Sequence, residues 1–498
     1  MELFNNLIFG FSVALSFQNV LYCFIGCLLG TMIGVLPGIG PMATIAMLLP
    51  ITFTLPPVAA LIMLAGIYYG AQYGGSTTAI LVNLPGETSS VVTCIDGYQM
   101  ARQGRAGPAL AIAAIGSFFA GTVCTMIIAM FGPLIAEIAF KFRAPEYFSL
   151  MLMALVTAAV LSQGDTSKSL AMVSLGLLLG VVGADLNTGV QRFTFNITEL
   201  ADGIGFVIIA IGVFAVGEII SNLGELQERQ VFTSKVESIY PTLQDLKQSI
   251  APIIRGTAIG AFFGTLPGTG PAISSFSSYL VEKKVAKDPS RFGNGAIEGV
   301  AGPESANNAA AQCAFIPTLT LGIPGSASMA LMLGALIIQG ITPGPTVMTK
   351  NPDLFWGLIA SMWIGNLMLL VLNLPLVGLW VSLLKVPYRL LFPAIMVFSS
   401  IGIYSLNNSP FDLYLAALFG ALGFIWMRLG CPAAPMLLGF ILGPLLEENL
   451  RRALLISRGD PSVFFTRPIS LAFMIATVLI LLTMAVPAVG KRKSSISG

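Results

Sequence analysis

The chain has no histidine among its 498 residues, and only 10% of them are charged. Without imidazole it lacks the commonest metal ligand, the commonest general base and the usual proton relay near neutral pH. Any coupled proton must therefore ride on carboxylates, and any bound cation must be held by oxygen. The scarcity of charge excludes a water-soluble domain of this size, which would carry about a quarter of its residues as charges. Lys and Arg number 25 against 23 acids, a balance of +2 with no dense basic patch, so no nucleic acid partner is expected. Cysteine is sparse as well: Cys23, Cys27, Cys94, Cys124, Cys313 and Cys431 lie mostly in apolar segments. The i,i+4 spacing of Cys23 and Cys27 would suit a metal pair, but small buried thiols are the better reading. There is no Walker A sequence, no histidine-based triad and no H-E-x-x-H metal site, and Asp165 and Asp185 do not form the facing pair of an aspartyl intramembrane protease. An enzyme is not expected.

What the chain has instead is apolar length. Hydrophobic residues make up 55% of it and its mean hydropathy is +0.86. Stretches long enough to cross a bilayer recur at Val58–Tyr73, Ala109–Phe140, Tyr147–Val160, Leu170–Val182, Gly203–Ile220, Leu354–Leu384, Leu413–Met427 and Ile469–Val486. The expected fold is an all-α polytopic membrane protein with about 10–12 transmembrane helices, at roughly 20 residues per crossing. Met1–Asn6 has no basic n-region, so no cleavable signal peptide is expected.

Gly34-Val35-Leu36-Pro37-Gly38-Ile39-Gly40-Pro41 returns as Gly264-Thr265-Leu266-Pro267-Gly268-Thr269-Gly270-Pro271. Leu84-Pro85-Gly86-Glu87 likewise matches Ile323-Pro324-Gly325-Ser326, and Lys141–Pro145 roughly matches Leu383–Pro387. The order of landmarks is the same in both halves, which predicts a duplication: a first membrane repeat over residues 1–222, a polar linker over 223–249 and a second repeat over 250–498. Loop charge predicts that the repeats are inverted. Glu282–Arg291 is rich in Lys and Arg whereas Thr52–Pro57 is uncharged, and Glu447–Arg467 carries four arginines whereas Ala184–Asp202 carries only Arg192. The linker would then be cytoplasmic. The C-terminal Lys491-Arg492-Lys493 resists this scheme if Ile469–Val486 crosses once.

Proline removes a helix hydrogen bond and glycine weakens what remains, so each LPGxGP ends one helix and begins another. Inside lipid such broken helices, or re-entrant hairpins, are tolerated only where protein or water covers the exposed backbone. The new helix N-terminus suits a carboxylate, and the carbonyls at the old C-terminus suit a cation. Pro37, Gly38, Gly40, Pro41, Thr44, Pro267, Gly268, Thr269, Gly270, Pro271, Ser274 and Ser275 are therefore candidate substrate-binding residues. A plain packing kink explains a single break as well, but two matched copies poorly. The small, polar run Tyr68–Ser90 adds Tyr73, Gly74, Gly75, Ser76, Thr77 and Thr78 to the candidates. Helix packing through small residues accounts for Gly70 and Gly74, or Ala306 and Ala310, but not for Glu304, Asn307 and Asn308 together. Intramembrane carboxylates are costly, so Asn83, Glu87, Glu304, Ser305, Asn307 and Asn308 form the candidate ion-coupling set, with Na⁺ near Glu304, Asn307 and Asn308. No other cofactor is expected. Asp165, Asp185 and Glu447 read as interfacial loop ends, and Asp96–Gly107 reads as a solvated connector.

The two breaks, the Tyr-Gly-Gly-Ser-Thr-Thr and Leu-Pro-Gly-Glu of Tyr68–Glu87, and the Gly-Pro-Glu-Ser-Ala-Asn-Asn of Gly302–Asn308 together resemble the large membrane subunit of bacterial tripartite tricarboxylate transporters. The resemblance covers nearly the whole chain. It implies a permease subunit in the bacterial inner membrane, acting with a small four-helix membrane subunit and a periplasmic solute-binding protein. It further implies ion-driven symport of di- or tricarboxylates with Na⁺ or H⁺. The contrasting reading is a channel or structural membrane subunit whose glycine-rich breaks pack or gate.

Overall fold

Glycine at every fourth position sets the closest helix contacts in the protein. The computed structural model describes residues 2–36, 40–162, 164–185, 188–223, 240–266, 270–383 and 388–485. Helix Phe17–Gly34 presents Gly26, Gly30 and Gly34 to helix Pro57–Val82, which presents Gly66, Gly70 and Gly74 in return. A Cβ built on Gly30 would stand 2.3 Å from the Ile67 carbonyl oxygen, so only glycine permits this approach. The contacts advance together, Gly26 with Met63, Gly30 with Ile67 and Gly34 with Ala71, which makes the two helices parallel. Helix Leu243–Gly264 repeats the device, setting Gly256, Gly260 and Gly264 against Gly302, Ala306 and Ala310 of helix Glu298–Cys313.

Two parallel helices need a return segment between them, and the breaks provide it. Pro41–Thr52 begins with proline at its first position, where a missing amide costs no intrahelical bond, and runs back beside Pro57–Val82. Gly270–Val285 is the equivalent arm of the second half. Because Gly34 lies level with Ala71, the first break sits about midway along the 26-residue Pro57–Val82 helix.

The halves interlock. Glu298–Cys313 packs on Ala106–Ala139 of the first half, and Pro57–Val82 packs on the equivalent Pro352–Asn373 of the second. Gly121 touches Asn366 and Gly132 touches Phe355, so these two long helices are antiparallel. Ser76 meets Glu304 while Tyr69 meets Phe315, so Pro57–Val82 runs antiparallel to the Glu298–Leu321 region as well. Equivalent helices of the two halves thus point in opposite directions. Apart from the paired strands Gly183–Ala184 and Gln191–Arg192, the described regular structure is helical. Among the described residues, five helices are long and apolar enough to cross a membrane by length and composition, and six further apolar helices have 10–17 residues. One hydrophobic core runs through both halves.

Several expectations change. The polar run Tyr68–Ser90 is a continuous helix as far as Val82; the chain turns only at Asn83, in the left-handed region at φ 56°. Leu354–Leu384 is interrupted near Pro375, giving Pro352–Asn373 and Val377–Leu383. Helix Leu243–Gly264 starts inside the expected linker, of which residues 224–239 lie outside the described residues, as do Lys491–Lys493. The charge comparison of Ala184–Asp202 with Glu447–Arg467 fails, because the two segments touch. Arg451 pairs with Asp185 at 2.9 Å and Arg192 with Glu447 at 2.8 Å, which puts both at one end of the bundle. Helix Thr166–Gly180 runs parallel to Ala433–Ile456, with Gly176 against Met436 and Gly180 against Phe440, so the segments that follow them leave at the same end.

Replacing Gly30 or Gly260 by valine is expected to destabilise the folded protein by about 1–3 kcal/mol or more through overpacking. Gly378→Ala, where a Cβ meets nothing within 4 Å, serves as the control. Thermal unfolding in detergent micelles checks this; equal melting of all three variants would contradict the assigned packing.

Candidate functional site

Glu304, Asn308 and Gln312 follow one another at i,i+4 spacing and so share a face of helix Glu298–Cys313. All three are buried. Glu304 Oε2 accepts a hydrogen bond from Ser76 Oγ at 2.6 Å, and Oε1 accepts one from Thr93 Oγ1. Both donors belong to the first half. Asn308 donates to Ser117 Oγ at 2.7 Å and to the Glu304 carbonyl at 3.1 Å, and Gln312 donates to Asn366 Oδ1 at 3.4 Å. Asn307 donates to Glu87 Oε1 at 3.1 Å.

Each Pro-Gly loop folds back onto the break of its own half. A Cβ on Gly86 would lie 2.4 Å from Gly75 Cα and 3.1 Å from the Gly34 carbonyl oxygen, and one on Gly40 would lie 3.9 Å from Glu87 Cβ. In the second half, Gly325 approaches the Gly264 carbonyl to 3.4 Å and Gly270 approaches Ser326 Cβ to 3.8 Å on the same measure. Asn307 reaches Glu87 beside the first break, and one turn later Ala310 touches Gly264 beside the second. The two breaks therefore flank a single turn of Glu298–Cys313.

Some acids are paired with arginine and others are not. Glu146 pairs with Arg467, Glu282 with Arg255 at 2.5 Å, Asp245 with Arg105 at 2.5 Å and Asp185 with Arg451 at 2.9 Å. Outside the spans, burial alone would raise the Asp245 carboxyl, but hydrogen bonds from Thr242 and the Arg105 guanidinium outweigh it and hold the group below its usual range. Glu304 and Glu87 form no ion pair with Lys or Arg among the described residues. Around them Asn307 Oδ1, Gln312 Oε1 and Tyr73 Oη are buried with no hydrogen-bond partner among the described residues. Buried oxygens left in this condition are costly unless a ligand, ion or water completes them. No cluster of three His, Cys, Asp or Glu side chains suited to a metal occurs among the described residues, so a bound cation would use mixed carboxylate, hydroxyl and amide oxygens.

The expected residues divide into two groups. Ser76, Glu87, Glu304, Asn307 and Asn308 converge, with Tyr73, Gly74 and Gly75 beside them. Thr44, Thr77, Thr78, Ser274, Ser275 and Ser305 donate to carbonyls one turn back in their own helices, so their hydroxyls are already engaged. Asn83 is exposed at a helix end. Gly40, Pro41, Gly270 and Pro271 open the return arms, whereas Pro37, Gly38, Pro267, Gly268 and Thr269 lie outside the described residues. Sequence reasoning missed Thr93, Ser117, Ser326 and Glu218, the last of which stands near the Gly40 backbone. It also misread Asp96. That residue lies on helix Val91–Arg102, fully buried, where it accepts the amides of Gly293, Gly295 and Ala296 at 2.8–2.9 Å and the Tyr279 hydroxyl at 3.0 Å. It anchors the loop that leads into Glu298–Cys313.

Apolar helices of spanning length, interrupted where buried carboxylates and amides meet, define an all-α polytopic membrane protein. The chain belongs to the tripartite tricarboxylate transporter TctA family, which residues 20–438 match. It is 58% identical over 496 residues to an uncharacterized 52.8 kDa protein in the TAR-I ttuC' 3' region of Agrobacterium vitis, covering 100% of this chain and 99% of that one. A second Agrobacterium vitis relative, an uncharacterized protein in the TAR-II ttuC' 3' region, is 58% identical over 237 residues, 48% of this chain and 98% of its own length. No solved structure matches.

Asp96→Ala strands the buried Ala296 amide, at about 1–3 kcal/mol, and two half-buried amides, so a loss of about 2 kcal/mol or more is expected. Thermal unfolding of the purified variant checks it, and a melt like that of the parent protein would remove Asp96 from this role.

Proposed function

We propose that this chain is the large permease subunit of a binding-protein-dependent secondary transporter that takes up di- or tricarboxylates by symport with Na⁺ or H⁺. Membership of the TctA family supports the transporter class and its tripartite organisation. The single observation that carries the coupling is Glu304: a buried carboxylate on the second half, without a basic partner among the described residues, held by hydroxyls of the first half. A carboxylate so placed needs a proton or a metal cation to be stable in low dielectric. Loading and unloading that cation changes the contact between the halves, which is what coupling requires.

In this reading the repeats span residues 1–222 and 250–498 with inverted topology, and the 223–249 linker is cytoplasmic. The antiparallel course of equivalent helices supports the inversion. The protein would sit in the bacterial inner membrane with a small four-helix subunit and receive its organic anion from a periplasmic solute-binding protein. Alternating access would move the hairpin arms and their Pro-Gly loops against the remaining spans. A channel could not concentrate its solute, so accumulation against a gradient separates the two classes.

Glu304→Gln is expected to abolish gradient-driven accumulation of labelled citrate, succinate or malate, the panel tested in cells that express the complete system. Membrane abundance of the subunit should stay unchanged. Accumulation at the parental level, with the parental dependence on Na⁺ and pH, would exclude Glu304 from coupling.

A further inference from the structure

The duplication makes the two breaks comparable position by position, and their chemistry is unequal. Gly26 meets Met63 and Gly34 meets Ala71 in the first half; Gly256 meets Gly302 and Gly264 meets Ala310 in the second. These contacts superpose Met63 on Gly302 and Ala71 on Ala310, and the same register puts Glu87 on Ser326 and Tyr68 on Asn307. The Glu87–Asn307 contact therefore has a counterpart, Ser326 beside Tyr68. One member of the pair is a carboxylate with an amide, the other two hydroxyls.

At the first break the protein itself supplies carboxyl oxygens. Glu87 lies against Gly40, and Glu218 stands near the Gly40 backbone as a second acid. An incoming anion meets other acids there. Asn307 Oδ1, fully buried and without a partner, offers a further oxygen beside Glu87. Oxygens without donors suit a cation.

At the second break, the neighbours of Gly264, Gly270 and Gly325 are Ala310, Cys313, Ala314 and Ser326, none of them charged. Ser326 Oγ accepts the Met329 amide at 3.2 Å, which leaves its O–H as a donor. Tyr68 Oη is fully buried close to Ser326 and Gln72 and within electrostatic reach of Glu87, with no hydrogen-bond partner among the described residues. Donors without acceptors, at the amino end of the 16-residue helix Gly270–Val285, suit an anion.

We propose that the breaks divide the ligands: a cation, additional to the proton or metal ion carried by Glu304, binds at the first, on Glu87 and Asn307 Oδ1, and a substrate carboxylate binds at the second, on Ser326 Oγ, Tyr68 Oη and the amino end of Gly270–Val285. This rests on the transport reading above. It replaces a symmetric site, in which both breaks would bind substrate alike, by one with a fixed polarity. The opposite charges then sit on either side of one turn of Glu298–Cys313, close enough for each to favour the binding of the other.

The test is a kinetic split in cells expressing the complete system, using whichever of citrate, succinate or malate the parent accumulates best. Na⁺ is varied at fixed pH, and pH at fixed Na⁺. Ser326→Ala and Tyr68→Phe are each expected to raise the substrate KM about tenfold at saturating cation, the scale of one hydrogen bond to a charged group, with cation half-saturation moved less than about twofold. Glu87→Gln should do the reverse, and Glu87→Asp should restore part of the cation affinity. Membrane abundance of each variant is measured in parallel, and Ser326→Thr, which keeps the hydroxyl, should retain the parental KM. A cation shift from Ser326→Ala or Tyr68→Phe, a substrate shift from Glu87→Gln at saturating cation, or equal shifts in both constants would overturn the division. If the parent accumulates none of the three acids, the transport reading falls first and this inference falls with it.

Discussion

A backbone that leaves its helix inside a bilayer must find other partners for its freed amides and carbonyls, and this architecture follows from that constraint. The breaks after Gly34 and Gly264 lie partway along neighbouring helices, where lipid would leave those groups unpaired. Protein approaches the Gly34 and Gly264 carbonyls instead. The Pro-Gly loop of each half turns back at Asn83 or Gly322 and lays Gly86 or Gly325 against the break. That cover is thin enough to fit only because glycine lines both surfaces, as at Gly75 and Gly86. The parallel glycine strips serve the same end, since they bring each broken helix to its neighbour closely enough to fix the depth of the break.

The same constraint explains what could be read from the sequence. Proline and glycine act on the backbone where they stand, so the LPGxGP copies, their period and the Gly26–Gly34 and Gly256–Gly264 spacings are visible without a structure. Glu304 and Asn307 were legible because a carboxylate and amides in an apolar run have no cheap explanation. Asp96 was not. Its segment is as polar as a solvated connector, and its burial is decided by the Gly293–Ala296 loop almost two hundred residues away. Thr77, Thr78, Ser274 and Ser275 mislead in the opposite direction, because a hydroxyl in a helix can satisfy itself on the carbonyl one turn back. Loop charges misled where loops had to be matched by order alone. Ala184–Asp202 and Glu447–Arg467 follow parallel neighbouring helices and finish as partners in one ion-pair network.

Interlocked halves also bear on how the protein moves. Val91–Arg102 belongs to the first half, yet Thr93, Asp96 and Gln103 are bonded to Glu304, the Gly293–Ala296 loop and Asn294 of the second. Glu298–Cys313 in turn rests on Ala106–Ala139 of the first half. A boundary drawn through the sequence linker would cut all of these bonds at once. The arm Pro41–Thr52 has its hydroxyls bonded to carbonyls close by in its own segment, whereas Gly270–Val285 is tied to its neighbours through Tyr279 to Asp96, Ser275 to Pro303 and Glu282 to Arg255.

A duplicated scaffold with equal sites would hold an anion equally well in either half, and ligand binding would then favour neither orientation of the carrier. Coupling needs the halves to differ. The bonds across the centre differ already: Glu304 reaches to Ser76 and Thr93, whereas the residues in register with Glu304 and Ser76 are Ala65 and Phe315, which can form no such bond. The scaffold keeps its two-fold glycine packing while the side chains at its centre have diverged in charge. The glycine contacts place both breaks alike against their neighbouring helices, and the side chains around them differ in chemistry.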